Sequence, residues 1–104
     1  MSVMSSRARV GEGCRRLPDL MLVRLAMAQT HDWGVFIDAY LIDGAAVGDR
    51  FAAYVYHDRS GQMEDGMTVV TPSVEMIAQF DGMVLLRTIS GNDNYVLVSR
   101  LEVA

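Results

Sequence analysis

Lysine is absent from this chain, and cysteine and long apolar runs are scarce. Without lysine, the usual Walker-type phosphate-binding loop cannot form. The single cysteine, Cys14, excludes an internal disulfide, so the fold depends on packing, as is usual in a reducing cytosol. No stretch approaches the roughly 18–20 apolar residues of a membrane helix. These absences predict a cytoplasmic protein with no membrane insertion.

Histidine is also scarce, and this limits metal and acid–base chemistry. His31, His57 and Cys14 form no cluster with the spacing of metal ligands. The chain has no nucleophile elbow and no Gly-rich strand–helix junction. We therefore expect no metal, no cofactor and no catalytic residue, and we favour a protein that acts without catalysis, with an enzyme kept as the alternative.

Charge is divided unevenly along the chain. Residues 1–16 hold four arginines and one glutamate, a net charge of +3, whereas residues 17–104 hold five arginines and twelve carboxylates, a net charge of −7. We interpret 1–16 as a flexible basic N-terminal tail and 17–104 as a single β-rich domain. Because an acidic body repels polyanions, we do not expect nucleic-acid binding by the domain.

Short apolar runs separated by turn signals predict a mainly β fold. A chain of 104 residues with 51% hydrophobic residues has room for one domain with one modest core. We predict an antiparallel meander of about six strands, arranged as a small barrel or sandwich. The predicted strands are 34–42, 47–57, 67–71, 74–80, 83–90 and 95–103.

Glycine-containing turns connect these strands. Asp43-Gly44 and Asp81-Gly82 each stand between two apolar runs, and Asp-Gly is a strong hairpin signal because glycine accepts a positive φ. Residues 91–94 predict a third hairpin. Residues 57–66 are polar and long for a hairpin, which predicts an exposed loop.

The apolar segment 17–29 allows two interpretations. Pro18, Asp19 and the Ala, Leu and Met content favour a helix at about 18–29. The lack of a helix stop before residues 30–34 favours a strand that pairs with 34–42. We favour the strand, because it makes the whole chain one meander, and keep the helix as the alternative.

Alternation along two neighbouring strands predicts a polar aromatic face. Ala39 and Leu41 share one side with Phe51, Ala53 and Val55 and predict an aliphatic core. The opposite side carries tyrosines beside a carboxylate and an arginine, a composition found where proteins hold a partner or small ligand. With His57 at the strand end, the candidate binding residues are Asp38, Tyr40, Arg50, Tyr54, Tyr56 and His57. The alternative is that these tyrosines are covered by a second layer or a helix.

The segments 65–74 (DGMTVVTPSV), 87–91 (RTISG) and 95–98 (YVLV) resemble a pattern in small bacterial proteins. Those proteins occur on phages, plasmids and gene cassettes. The resemblance implies a β-rich accessory protein of a mobile element that acts by binding. It supplies no catalytic residue.

Three functions therefore remain open. The first is an interaction protein that binds a protein partner or itself as a homodimer, through an exposed strand or the tyrosine face. The second is a small ligand-binding barrel or enzyme, with His57, Asp38 and Tyr54 around a cavity. The third is nucleic-acid binding by Arg50, Arg87 and Arg100 beside the tyrosines. We favour the first.

Overall fold

The computed structural model describes residues 17–101. The tail assigned to 1–16 and the end of the strand predicted at 95–103 lie outside the described residues. Within them, one helix precedes six strands, so the prediction of a mainly β fold is confirmed. The elements are α1 (Asp19–Thr30), β1 (Ala39–Val47), β2 (Arg50–Tyr56), β3 (Thr68–Val70), β4 (Val74–Phe80), β5 (Met83–Thr88) and β6 (Asn94–Leu97).

All six strands belong to one sheet, in the order β3-β2-β1-β6-β5-β4. Strands β1–β3 form one antiparallel unit and β4–β6 another. The two units join through β1 and β6, which run parallel in the middle of the sheet. The predicted antiparallel barrel or sandwich is therefore wrong: the sheet is mixed and open. Pairing between the first and last strands depends on contacts that no local pattern encodes.

The sheet curls strongly, because only residues 71–73 connect its two edge strands. At no more than ~3.6 Å per residue, the chain from Val70 to Val74 covers at most about 14 Å. The Val74 amide accordingly donates to the carbonyl of Asp49, in the turn between β1 and β2, at 2.8 Å. Pro72 has no amide hydrogen to continue such pairing, and the curled sheet stays open.

Segment 17–29 forms a helix, so the strand that the sequence favoured is wrong and the helical alternative is confirmed. The carbonyl of Pro18 accepts the amides of Met21 and Leu22, which starts the first turn, and Asp19 there complements the helix dipole. His31 is extended and ends the helix. The sequence contains no conventional helix-stop residue here. Instead, the indole Nε1 of Trp33 donates to the Ala28 carbonyl in the last turn at 2.9 Å.

The two Asp-Gly dipeptides have different roles. Asp81-Gly82 is the turn between β4 and β5, as predicted. Asp43-Gly44 lies inside β1 at a break in its pairing with β2, and the hairpin turn is at Gly48-Asp49 instead. The prediction of a turn at Asp43-Gly44 is therefore wrong. The reason is distant in sequence: the Ser99 hydroxyl accepts the Asp43 amide at 2.9 Å and holds this irregularity against the end of β6.

The two sides of the sheet carry two separate cores. On the concave side, Leu41, Phe51, Val55, Leu86 and Leu97 pack together as the sheet curls over them. On the other side, Leu25 and Ala28 of α1 pack against β1, β2, β5 and the chain around β6. The predicted alternation is confirmed for Ala39, Leu41, Phe51, Ala53 and Val55, which share the concave core. The buried residues of this helix-facing core are Leu25, Ala28, Ile42, Tyr56, Met83, Leu85, Val96 and Val98.

Candidate functional site

Three of the six predicted site residues meet at one end of the sheet. Tyr40 lies on β1, His57 follows β2, and their ring centroids are 6.3 Å apart with nearly perpendicular planes. Asp38 immediately precedes β1. Its carboxylate accepts the Asn94 amide at 2.8 Å and forms an ion pair with Arg59 at 3.8 Å. Asp38 therefore joins the starts of β1 and β6.

The loop that follows His57 is held by its own carboxylates. The Asp65 carboxylate accepts a hydrogen bond from the His57 amide at 2.8 Å. His57 has a φ of 53°, which is unusual outside glycine. Asp58 accepts the Ser60 hydroxyl at 2.7 Å and the Met63 amide at 2.9 Å. The hydrogen bond from Ser60, followed by that from Met63, lowers the pKa of Asp58 below its ordinary value. These contacts give the loop a defined shape.

The predicted tyrosine face lies largely against the helix-facing core. Tyr56 is 8% exposed and belongs to that core, so a partner cannot reach its ring. Tyr40 and Tyr54 are partly buried beside it. Burial raises the pKa of Tyr40 above its ordinary value. Tyr54 also lines a shallow groove of about 250 Å³, together with Ala52, Thr68 and Leu101.

The arginines do not form a single strip. Arg50, the remaining predicted site residue, is exposed at the start of β2, far from the cluster at the end of that strand. Arg87 lies beside Asn94, with Nε 3.4 Å from the Asn94 side-chain oxygen. Arg100 reaches toward Met76 at the rim of the concave side. Within residues 17–101, Arg50, Arg87 and Arg100 therefore give a nucleic acid no continuous cationic track.

Within residues 17–101, two half-open cavities lie on the concave side. The larger, of about 390 Å³, has Phe51, Val74 and Leu86 in its wall and both acidic and basic residues at its rim. The smaller, of about 170 Å³, is apolar except for Thr71 and Tyr95. Burial, and then the negative charges of nearby aspartates, raises the pKa of Tyr95. Asp38 and His57 line neither cavity. Within residues 17–101 no group of three His, Cys, Asp or Glu residues is placed to hold a metal ion.

The outer side of α1 is an apolar exposed surface that the sequence analysis did not identify as a site. Leu20 is 72% exposed and Val23 is 56% exposed, although both are large aliphatic residues. With the exposed Thr30, and with Met27, which is half-buried because it also packs against the helix-facing core, they form one stripe along the helix, which we call the outer seam. The signal was the spacing of these four residues, which an assignment of 17–29 to a strand obscures.

The outer seam is next to an aromatic cluster at the end of the helix. His31 stacks on Phe80 with centroids 3.8 Å apart, and Trp33 meets the His31 ring edge-on at 4.5 Å. Phe80 is 41% exposed. Arg24, beside the seam, donates from Nη2 to the Asp81 carbonyl at 2.8 Å, which fixes the helix against the β4–β5 turn.

The two edge strands of the sheet offer a partner less binding surface than the outer seam does. β3 has only three residues and is followed by Pro72, so it gives little edge for a partner strand. β4 exposes Met76 and Ile77, but the pairing register shifts between Met76 and Ala78, and such a bulge disfavours strand addition.

No helix within residues 17–101 combines the length and apolarity needed to cross a membrane. Comparison with protein-family models, with curated proteins and with solved structures finds no match for this chain.

Proposed function

We propose that this protein is an interaction module, which acts by binding another protein chain through the outer seam of α1. The observation that carries the proposal is the exposure of Leu20 and Val23 on a short helix whose opposite side is already packed. An exposed row of aliphatic side chains costs solubility and adds nothing to the monomer's core. A bound partner that covers these side chains would remove this cost.

The other surfaces support this function less well. The concave cavities are small and half-open, and the larger one has charges of both signs at its rim. The cluster at Asp38 and His57 is built from hydrogen bonds that hold loops and strand ends together. An organised pocket would instead bring acid and base together around a cavity.

The setting of the function is part of the same proposal. An accessory protein of a mobile element that acts by binding is the role that the resemblance implies, and a cytoplasmic location is the one that the single cysteine favours. A seam formed by one exposed helix suits such a role, since association needs no cofactor and no chemical step.

Site-specific photocross-linking tests the proposal. A photoreactive residue is placed at Ala26, which is exposed beside the seam, and in a matched protein at Val47, which is 58% exposed at the end of β1. Irradiation of the purified protein and of cells that produce it should give discrete protein adducts from position 26 and not from position 47. If position 26 gives no adduct, or both positions give the same ones, the proposal is wrong.

A further inference from the structure

The outer seam has the spacing of a two-stranded coiled coil. Leu20, Val23, Met27 and Thr30 are separated by alternating intervals of three and four residues. This is the repeat of the a and d positions, which pack knobs into holes when two helices pair. The inner side of α1 faces the sheet through Leu25 and Ala28, so a second helix can approach only from solvent.

The two charges of α1 flank the seam and distinguish between orientations. With Leu20 at position a, Asp19 is at g and Arg24 is at e. In a parallel pair in register, a g residue lies beside the e residue five positions further along the partner. Asp19 of each chain would then lie beside Arg24 of the other, and twofold symmetry makes the contact twice. An antiparallel pair would instead place the two Arg24 side chains together.

Arg24 is already fixed against the β4–β5 turn. Its Nη2 atom donates to the Asp81 carbonyl at 2.8 Å, and the guanidinium has further N–H groups for a carboxylate. Because the side chain is fixed before binding, less conformational entropy is lost when Asp19 of a second chain arrives.

We infer that the occupant of the outer seam is a second copy of this chain, docked in parallel through α1. The inference rests on the proposed function, to which it adds the identity and the orientation of the partner. From Leu20 to Thr30, at a rise of 1.5 Å per residue, the seam is about 15 Å long. So short a seam buries less area than a standard interface, and the dimer is therefore weak and dependent on concentration.

Disulfide trapping tests partner and orientation together. In a Cys14→Ser background, which removes the only native thiol, Val23→Cys places a thiol at a d position. Leu22→Cys, exposed beside the seam at a position that does not face the partner, is the matched control. Under mild oxidation the Val23→Cys protein should form a covalent dimer at least about tenfold faster than the control, because facing d positions approach within disulfide distance.

The alternative arrangements give different results in the same experiment. An antiparallel pair places Val23 opposite Met27, so the covalent dimer would form only when Val23→Cys and Met27→Cys proteins are mixed. That result would overturn the parallel orientation. Equal rates for Val23→Cys and Leu22→Cys would show random collision and overturn self-pairing through the seam.

Charge exchange supplies a second readout that does not depend on thiols. Asp19→Arg alone should weaken dimerisation about tenfold, because two attractive contacts become repulsive. The double variant Asp19→Arg/Arg24→Asp restores opposite charges and should recover most of that loss. Circular dichroism checks that both variants keep the fold. Failure of the double variant to recover affinity would contradict the Asp19–Arg24 pairing.

The results also separate this inference from the proposed function. If Val23→Cys does not couple and the photoreactive group at position 26 still gives adducts with a different protein, the function stands and the second copy is the wrong partner. If neither thiols nor photoreactive group give any product, both proposals are wrong.

Discussion

The two sides of α1 carry similar side chains in opposite surroundings. On the inner side, Leu25 is 4% exposed and Ala28 is fully buried against the sheet. On the outer side, Leu20 and Val23 are mostly exposed. The inner side is explained by the fold, because it fills the helix-facing core. Leu20 and Val23 fill no part of that core, and this difference is why we assign the outer side a role in binding.

The largest expected contrast is in stability. Leu25→Ala leaves a cavity in the helix-facing core and should lower the free energy of unfolding by about 2–5 kcal/mol. Leu20→Ala removes an exposed side chain and should change it by no more than about 0.5 kcal/mol. Urea denaturation at low protein concentration, where the chain is monomeric, measures both. Similar losses would show that the outer side also supports the monomer.

A second contrast compares one hydrogen bond on each side of the helix. Trp33→Phe removes the partly buried bond from the indole to the Ala28 carbonyl and should cost about 1 kcal/mol. Thr30→Val removes an exposed bond to the Met27 carbonyl, 3.2 Å long, and should cost little, because water replaces it. Denaturation midpoints of the two variants check this, and an equal cost would contradict the assignment of the two sides.

A smaller effect is expected at alkaline pH. Burial raises the pKa of Tyr40 in the folded protein above 10.0, its ordinary value. Its contribution to stability is therefore complete below pH 10 and is lost as the pH rises through the folded pKa, since the unfolded chain ionises first. Tyr40→Phe should reduce this alkaline loss, with Tyr95 accounting for a further part. Denaturation of both proteins between pH 9 and 11 measures this loss of stability. If Tyr40→Phe leaves the dependence of stability on pH unchanged, the Tyr40 hydroxyl is exposed to water in the folded protein.

The sequence predicts features that depend on neighbours along the chain. Strand alternation separates Tyr40 and Ile42 from Ala39 and Leu41, because a strand repeats every two residues. The turn at Asp81-Gly82 needs only a local positive φ. Strand order is different: the parallel contact between β1 and β6 depends on how the two ends of the domain meet. The sequence therefore predicts which segments form strands, but not the order in which the strands pair in the sheet.

The same limit explains what was missed at the candidate sites. Asp43-Gly44 has the same composition as Asp81-Gly82, but Ser99, distant in sequence, holds it inside a strand. Alternation placed Tyr54 and Tyr56 on one side, but only the docking of α1 shows that Tyr56 is buried there. The strand interpretation of 17–29 also hides the helical spacing of Leu20 and Val23, which has meaning only in the helix.

Light scattering after size exclusion over a range of concentrations tests the central claim most directly. The wild-type protein is compared with Leu20→Gln/Val23→Gln and with Leu22→Gln, the matched change beside the seam. We expect the wild type and Leu22→Gln to move from monomer to dimer as concentration rises. The double variant should remain monomeric with an unchanged unfolding midpoint. A wild type that stays monomeric, or a double variant that dimerises equally well, would contradict self-association through α1.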